Sequence, residues 1–162
     1  MHAGVQYLKE SELDNSGVEA NIYGAMGEVA SHGLDFMLAY NKSTKESGKH
    51  TFSGFGGGKL FTSMDTMILD EITEDRDADA IVGSLSYEID DFTLLYAYGD
   101  FQGDADSSGA KANIIAQNIG VDYAPNDDFT LSTVYVIHDN TEDATSTFFN
   151  DKNFRVLASY NF

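Results

Sequence analysis

The chain has 162 residues, with 27 Asp plus Glu against nine Lys plus Arg, a formal charge of −18, no Cys, no Trp and one Pro. This balance excludes general nucleic-acid binding, which needs a basic face, and favours cations over anions near the surface. The lack of Cys excludes a disulfide framework and thiolate chemistry, and no apolar run is long enough for a transmembrane helix.

In chain order, the first ten residues lack the basic start and apolar centre of a secretory signal, so the sequence reads as a mature form, a fragment or a mis-assigned start. Residues 3–8 form the weakest of eight predicted strands. Residues 18–23 set Val18, Ala20 and Ile22 against Glu19, Asn21 and Tyr23. In residues 34–41, Leu34, Phe36, Leu38 and Tyr40 alternate with Asp35, Met37, Ala39 and Asn41. A period of two means a strand, because successive side chains point to opposite faces.

Residues 42–79 then form one long connection that is not uniformly polar. Its centre carries Phe52, Phe55, Gly56, Gly57, Gly58, Lys59 and Leu60, and the stretch from Met64 to Ile72 is apolar enough to require burial. Long loops of this kind are functional or disordered, and apolar anchors beside a glycine run suit one that folds back into a lumen. It is not a phosphate loop, since Leu60 stands where G-x-x-x-x-G-K-[ST] needs Ser or Thr.

Alternation resumes at residues 81–89, where Ile81, Leu85, Tyr87 and Ile89 oppose Val82, Ser84, Ser86 and Glu88. Residues 92–101 place Phe92, Leu94, Tyr96 and Tyr98 on one face and Thr93, Ala97 and Gly99 on the other. Ile115, Ile119, Val121 and Tyr123 then oppose Ala116, Asn118, Gly120 and Asp122, and Phe129, Leu131, Thr133, Tyr135 and Ile137 oppose Thr130, Ser132, Val134, Val136 and His138. Residues 151–162 set Phe154, Val156, Ala158, Tyr160 and Phe162 against Asn153, Arg155, Ser159 and Asn161, with Leu157 the exception.

Strands of about ten residues exceed the soluble mode of about 5–6 and match a tilted membrane strand. The links alternate: tight at His32-Gly33, Asp90-Asp91 and residues 125–128, long at residues 9–17, 42–79, 102–111 and 139–153. Short turns at one end and long loops at the other characterise outer-membrane barrels. The sequence Asp-Asp-Phe-Thr-Leu occurs at Asp90 and again 37 residues later at Asp127, so one hairpin plus one loop is the repeating unit. The repeat puts Tyr87, Phe92, Tyr123, Phe129, Tyr160 and Phe162 at one level, a candidate aromatic girdle at a membrane boundary. The fold expected is an all-β, antiparallel transmembrane barrel, one domain over residues 1–162, with the last strand ending in the periplasm.

The run Gly57-Gly58-Lys59-Leu60-Phe61-Thr62-Ser63-Met64-Asp65-Thr66-Met67-Ile68-Leu69-Asp70 resembles the inward-folded loop of OprD-like outer-membrane porins, in their epsilonproteobacterial major-porin branch. Ala78-Asp79-Ala80-Ile81-Val82-Gly83 and Tyr96-Ala97-Tyr98-Gly99-Asp100-Phe101 resemble the same branch, and the likeness covers most of residues 55–162. The resemblance implies an 18-stranded, often trimeric diffusion channel for small solutes in the bacterial outer membrane, in contact with lipid and lipopolysaccharide. Eight strands fall short of that, so the chain reads as the C-terminal portion of such a porin. The alternative is a closed eight-stranded barrel, structural or adhesive, that conducts nothing. A soluble β-sandwich fits less well, because the Phe92–Tyr98 and Phe154–Phe162 faces are apolar.

Pore selectivity comes from charges at the narrowest point. Constriction candidates on the loop are Phe55, Lys59, Asp65, Asp70 and Glu71, and pore-lining candidates on strands are Glu19, Asp35, Glu88, Asp122, His138 and Arg155. The set is mostly acidic, so cation preference is expected. Asp70, Glu71 and Glu74, with Asp75, Asp77 and Asp79, also offer hard oxygen ligands suited to Ca²⁺, as do Asp100, Asp104 and Asp106, though neither cluster has the EF-hand spacing. No other cofactor is expected. Nor is catalysis: His2, His32, His50 and His138 show no H-E-x-x-H spacing, there is no G-x-S-x-G elbow, and Ser132 and His138 stand roughly 20 Å apart at strand rise.

Overall fold

The computed structural model describes residues 1–51, 60–67, 69–73, 76–142 and 151–161, with the side chains of Asp70 and Glu71 outside that description. Eight antiparallel strands make one sheet in sequence order: β1 (His2–Glu10), β2 (Ala20–Ser31), β3 (Leu34–Lys45), β4 (Ala78–Ile89), β5 (Phe92–Gly103), β6 (Ala112–Asn126), β7 (Phe129–Asn140) and β8 (Lys152–Tyr160). The helical content among the described residues is one 3-10 turn, Leu69–Ile72. The eight-strand, all-β expectation therefore holds, and the strands run further into the loops than alternation alone indicated. β3 continues to Lys45, and β1 spans the whole of His2–Glu10.

The three tight turns lie at one end of the sheet. At the first, His32 and Gly33 both have positive φ (52° and 79°), the geometry that matches a two-residue hairpin to strand twist. At the second, Asp90 takes φ 51°, a conformation that Asp tolerates. At the third, the Asn126 Oδ1 accepts the backbone N–H groups of Asp128 and Phe129, both at 3.0 Å. The single Pro, Pro125, falls in the register shift between Tyr123 and Asn126, where a missing N–H breaks no ladder bond. The two copies of the repeat act alike: the Asp91 carbonyl accepts the Ala124 N–H at 2.8 Å and the Asp128 carbonyl accepts the Asn161 N–H at 2.9 Å.

The two faces of the sheet differ. One is bare. It exposes Tyr7, Tyr23, Phe36, Leu38, Ile81, Leu85, Leu94, Tyr96, Ile119, Tyr135, Phe154 and Val156, a row that crosses all eight strands. At about 4.8 Å per strand such a face is roughly 35–40 Å wide, well beyond the apolar patches of about 300–600 Å² found on soluble monomers. The other face is covered at its long-loop half. There Leu60, Met67, Leu69 and Ile72 from the β3–β4 connection pack on Ile22, Ala80, Val82, Phe101, Ile114 and Ala116.

This packing corrects one face assignment. Ala20 and Ile22 are buried on the covered face, and Tyr23 is exposed on the bare one. Alternation misread β2 because its covered side meets the apolar connection, so both of its faces carry apolar residues. Glu19 precedes β2 in the frame of Asn21 and Tyr23, so the expected pore-lining position is not on the covered face. Leu157 is the reverse case: the exception in the last strand is a covered-face residue beside Arg155.

Candidate functional site

Residues 61–66 form a strap that crosses the covered face from one sheet edge to the other. Over β1, the Phe61 ring lies against Gly4, where an added Cβ would stand 3.1 Å away, and the Phe61 N–H donates to the Gln6 Oε1 (3.4 Å). Over β3, the Thr62 N–H and hydroxyl both donate to the Asn41 Oδ1 (3.0 and 3.1 Å). The Met64 sulfur occupies the space above Gly99 in β5, which a Cβ would fill. Over β6, Asn118 accepts the Asp65 N–H (3.0 Å) with its amide turned to satisfy both ends. Over β7, the Thr66 hydroxyl shares a hydrogen bond with the His138 Nε2 (3.1 Å), and over β8 Arg155 donates to the Asp65 carboxylate.

These contacts fix the curvature of the sheet. Seven strand spacings span about 34 Å if flat, while four residue steps reach at most about 14 Å. Strand side chains stand roughly perpendicular to the sheet and add little reach along it, so the sheet curls around the strap. Ile22 of β2 and Ile114 of β6 accordingly belong to one apolar cluster.

The anchors differ in kind. Asn41 is fully buried and fully paired, since its Nδ2 donates to the Gln6 Oε1 and the Tyr23 carbonyl, each at 3.2 Å. His138 is buried too, and its Nδ1–H donates to the Asp151 Oδ1 at 2.8 Å. The Asp65–Arg155 pair is the outer contact, with the arginine side chain 56% exposed. Toward the tight-turn end, a cavity of about 450 Å³ opens between strap and sheet, lined by Met37, Met64, Asp122, Ser132 and Leu157 together with that pair.

Of the residues singled out from sequence, Asp65, Asp122 and Arg155 line this cavity, and His138 holds the strap beside it through Thr66. Asp35 and Glu88 share the covered-face frame but lie toward the tight-turn end, outside the cavity lining. Phe55, Lys59, Glu74 and Asp75, and the side chains of Asp70 and Glu71, fall outside the described residues; of the first proposed Ca²⁺ cluster this leaves Asp79 and Asp77, whose Oδ1 accepts the Lys45 N–H at 2.9 Å. In the second cluster Asp106 is engaged by protein groups: Arg76 donates to it at 2.8 Å and it accepts from Ser108 and the Ala110 N–H. Among the described residues no group of three or more acidic or His side chains is arranged to hold a metal. Five girdle residues, Tyr87, Phe92, Tyr123, Phe129 and Tyr160, sit at the tight-turn end on the bare face, with the Phe92 and Tyr123 rings stacked at 4.8 Å. Phe162 is outside the described residues.

Sequence reasoning missed Asn41, Thr62, Thr66, Asn118 and Asp151 as strap anchors. For Asn41 and Asn118 the one signal was a polar residue within the small-residue face of a strand; Thr62, Thr66 and Asp151 lie on connections and carried none.

At the long-loop end, the Ser108 hydroxyl, then the Ala110 and Ser108 N–H groups and Arg76, hold the Asp106 carboxyl below its ordinary range. A depressed carboxyl stabilises the folded loop above the ordinary Asp value of about 3.9, and that contribution disappears as pH falls through the depressed value. The amide resonances of Ser108 and Ala110 should therefore stay constant from neutral pH down to about 4 and shift only below it. A shift centred above that value would contradict the arrangement.

Comparison with family models, curated proteins and solved structures returns no match to this chain. What fold and site define is therefore a class: an all-β chain of eight antiparallel strands in one sheet, with one bare apolar face and one face crossed by a strap.

Proposed function

We propose that the chain forms part of the wall of an outer-membrane porin, a passive and cation-preferring channel for small hydrophilic solutes. The observation that carries this reading is the two-sided sheet. An apolar face exposed across eight strands suits lipid, because each strand from β2 to β7 is laddered to a neighbour on both sides. The opposite face carries small and polar residues with a strap across it, the arrangement that narrows a pore. The tight turns and the aromatic residues near them suit the periplasmic boundary, and the long connections the outer one. Lipid and lipopolysaccharide would meet the bare face, and three copies would assemble as in the porins the sequence resembles.

The strap also weighs against the rival, a closed non-conducting barrel of eight strands. Such a barrel has an interior just wide enough for strand side chains. Here Leu60, Met67, Leu69 and Ile72 add a further layer on that face. Among the described residues the sheet order runs from β1 to β8 with no ladder between those two strands.

Cation preference follows from Asp35, Glu88 and Asp122 on the covered-face frame and from the charge of −18. The intact gene product, reconstituted in planar bilayers under a salt gradient, should give a reversal potential of cation sign. Anion selectivity would overturn the preference, and a protein that conducts nothing would overturn the channel.

A further inference from the structure

We infer that the Asp65–Arg155 ion pair is a latch that closes the passage between the strap and the sheet. The inference rests on the channel reading above and assigns the pair a role distinct from lining the pore. The strap is held at its Thr62 end by the buried Asn41 amide, and just past Asp65 by Thr66 on the buried His138 and by Met67, which is fully buried. Between these anchors the outermost contact is the pair, which joins Asp65 to β8. The Arg155 side chain is more than half exposed, whereas Asn41, Asn118 and His138, which hold the strap around Asp65, are buried. Buried anchors on both sides of Asp65, with one exposed pair between them, make a latch that solvent can break and remake.

The position of the pair gives the latch something to close. Asp65 and Arg155 both line the cavity of about 450 Å³ that separates strap from sheet. With the pair made, the strap bridges to β8 across the mouth of that space. With the pair broken, the space joins the rest of the covered face and the open cross-section grows. The second contact nearby, Thr66 with His138 and Asp151, lies deeper and keeps the strap from leaving the sheet altogether.

A latch and two independent pore charges make opposite predictions. If the residues act only through their fields, Asp65→Asn and Arg155→Gln shift cation conductance in opposite directions, because one removes a negative and the other a positive charge. If they form a latch, both single variants raise single-channel conductance, and the charge swap Asp65→Arg with Arg155→Asp restores the original value. Deuterium uptake at residues 63–67 of the folded protein in detergent supplies a readout that needs no conduction. Both single variants should exchange there up to about fivefold faster, the upper range for a half-exposed ion pair, and the swap should return to the parent rate. Opposite conductance shifts, or uptake unchanged in both single variants, overturn the latch. A parent protein that passes no current overturns the channel reading instead, and the uptake result still decides whether the pair holds the strap.

Discussion

Replacing Asn41 by Asp is expected to destabilise the protein by about 3–5 kcal/mol, the cost of a buried charge left without a partner. The substitution is nearly isosteric, so the effect is one of hydrogen-bond direction. The Asn41 Oδ1 accepts two bonds from Thr62, and a carboxylate would keep both. The Nδ2 donates to the Gln6 Oε1 and the Tyr23 carbonyl, and there a carboxylate oxygen would face two acceptors at 3.2 Å. The site is fully buried, so water cannot intervene, and no room exists for a shift, because a Cβ placed on neighbouring Gly24 would already stand 2.3 Å from the Nδ2. Asn41→Ala should cost less, about 1–3 kcal/mol, because it orphans polar groups without adding charge. Denaturant titration of both variants in detergent gives the order. An Asn41→Asp cost within 0.5 kcal/mol, the size of a solvent-exposed change, would mean that Asn41 is solvated and does not anchor the strap.

That anchor marks where legibility in the sequence ended. Strands with water or lipid on one side and small residues on the other could be read directly, as in Leu34–Tyr40 and Phe92–Tyr98, whose faces the structure keeps. The repeated Asp-Asp-Phe-Thr-Leu was legible too, because both copies do the same local work at a turn. β2 was misread because a strand apolar on both sides has no phase. Ile22 packs under the strap connection while Tyr23 stands on the bare face, and period two cannot tell a core from a lipid surface. Charged candidates were found by type, and Asp65, Asp122 and Arg155 line one cavity, with His138 holding the strap beside it. Their pairing was not legible, since Asp65 and Arg155 are 90 residues apart and nothing local links them. Neutral anchors were hardest: an Asn on a strand reads as a polar filler until the Thr that completes it, 21 residues away, is in place.

The bare face makes the sharpest demand on the reading as a whole. Leu85→Arg should cost about 2–4 kcal/mol in a phospholipid bilayer, the penalty for a cation near the middle of a barrel's lipid-facing band. Its depth follows from register. Leu85 pairs with Tyr96, four residues along β5 from Phe92 at the girdle. Four residues rise about 13 Å along a strand, or about 10 Å along the membrane normal at the usual tilt, close to the centre of an apolar band about 25 Å tall. Tyr87→Arg, two residues closer to the turn and itself a girdle residue, should cost less, falling toward the about 0–1 kcal/mol typical of the interface. The two side chains are equally exposed, each 43%, so burial within the chain cannot produce the difference; a depth-dependent solvent can. If the face met water instead, both changes would fall within about 0.5 kcal/mol, and each added charge would improve solubility. Unfolding by denaturant from vesicles, with both variants alongside the parent, separates the cases. Equal and small costs would remove the lipid-facing assignment, and with it the physical basis for treating the opposite face as the wall of a pore.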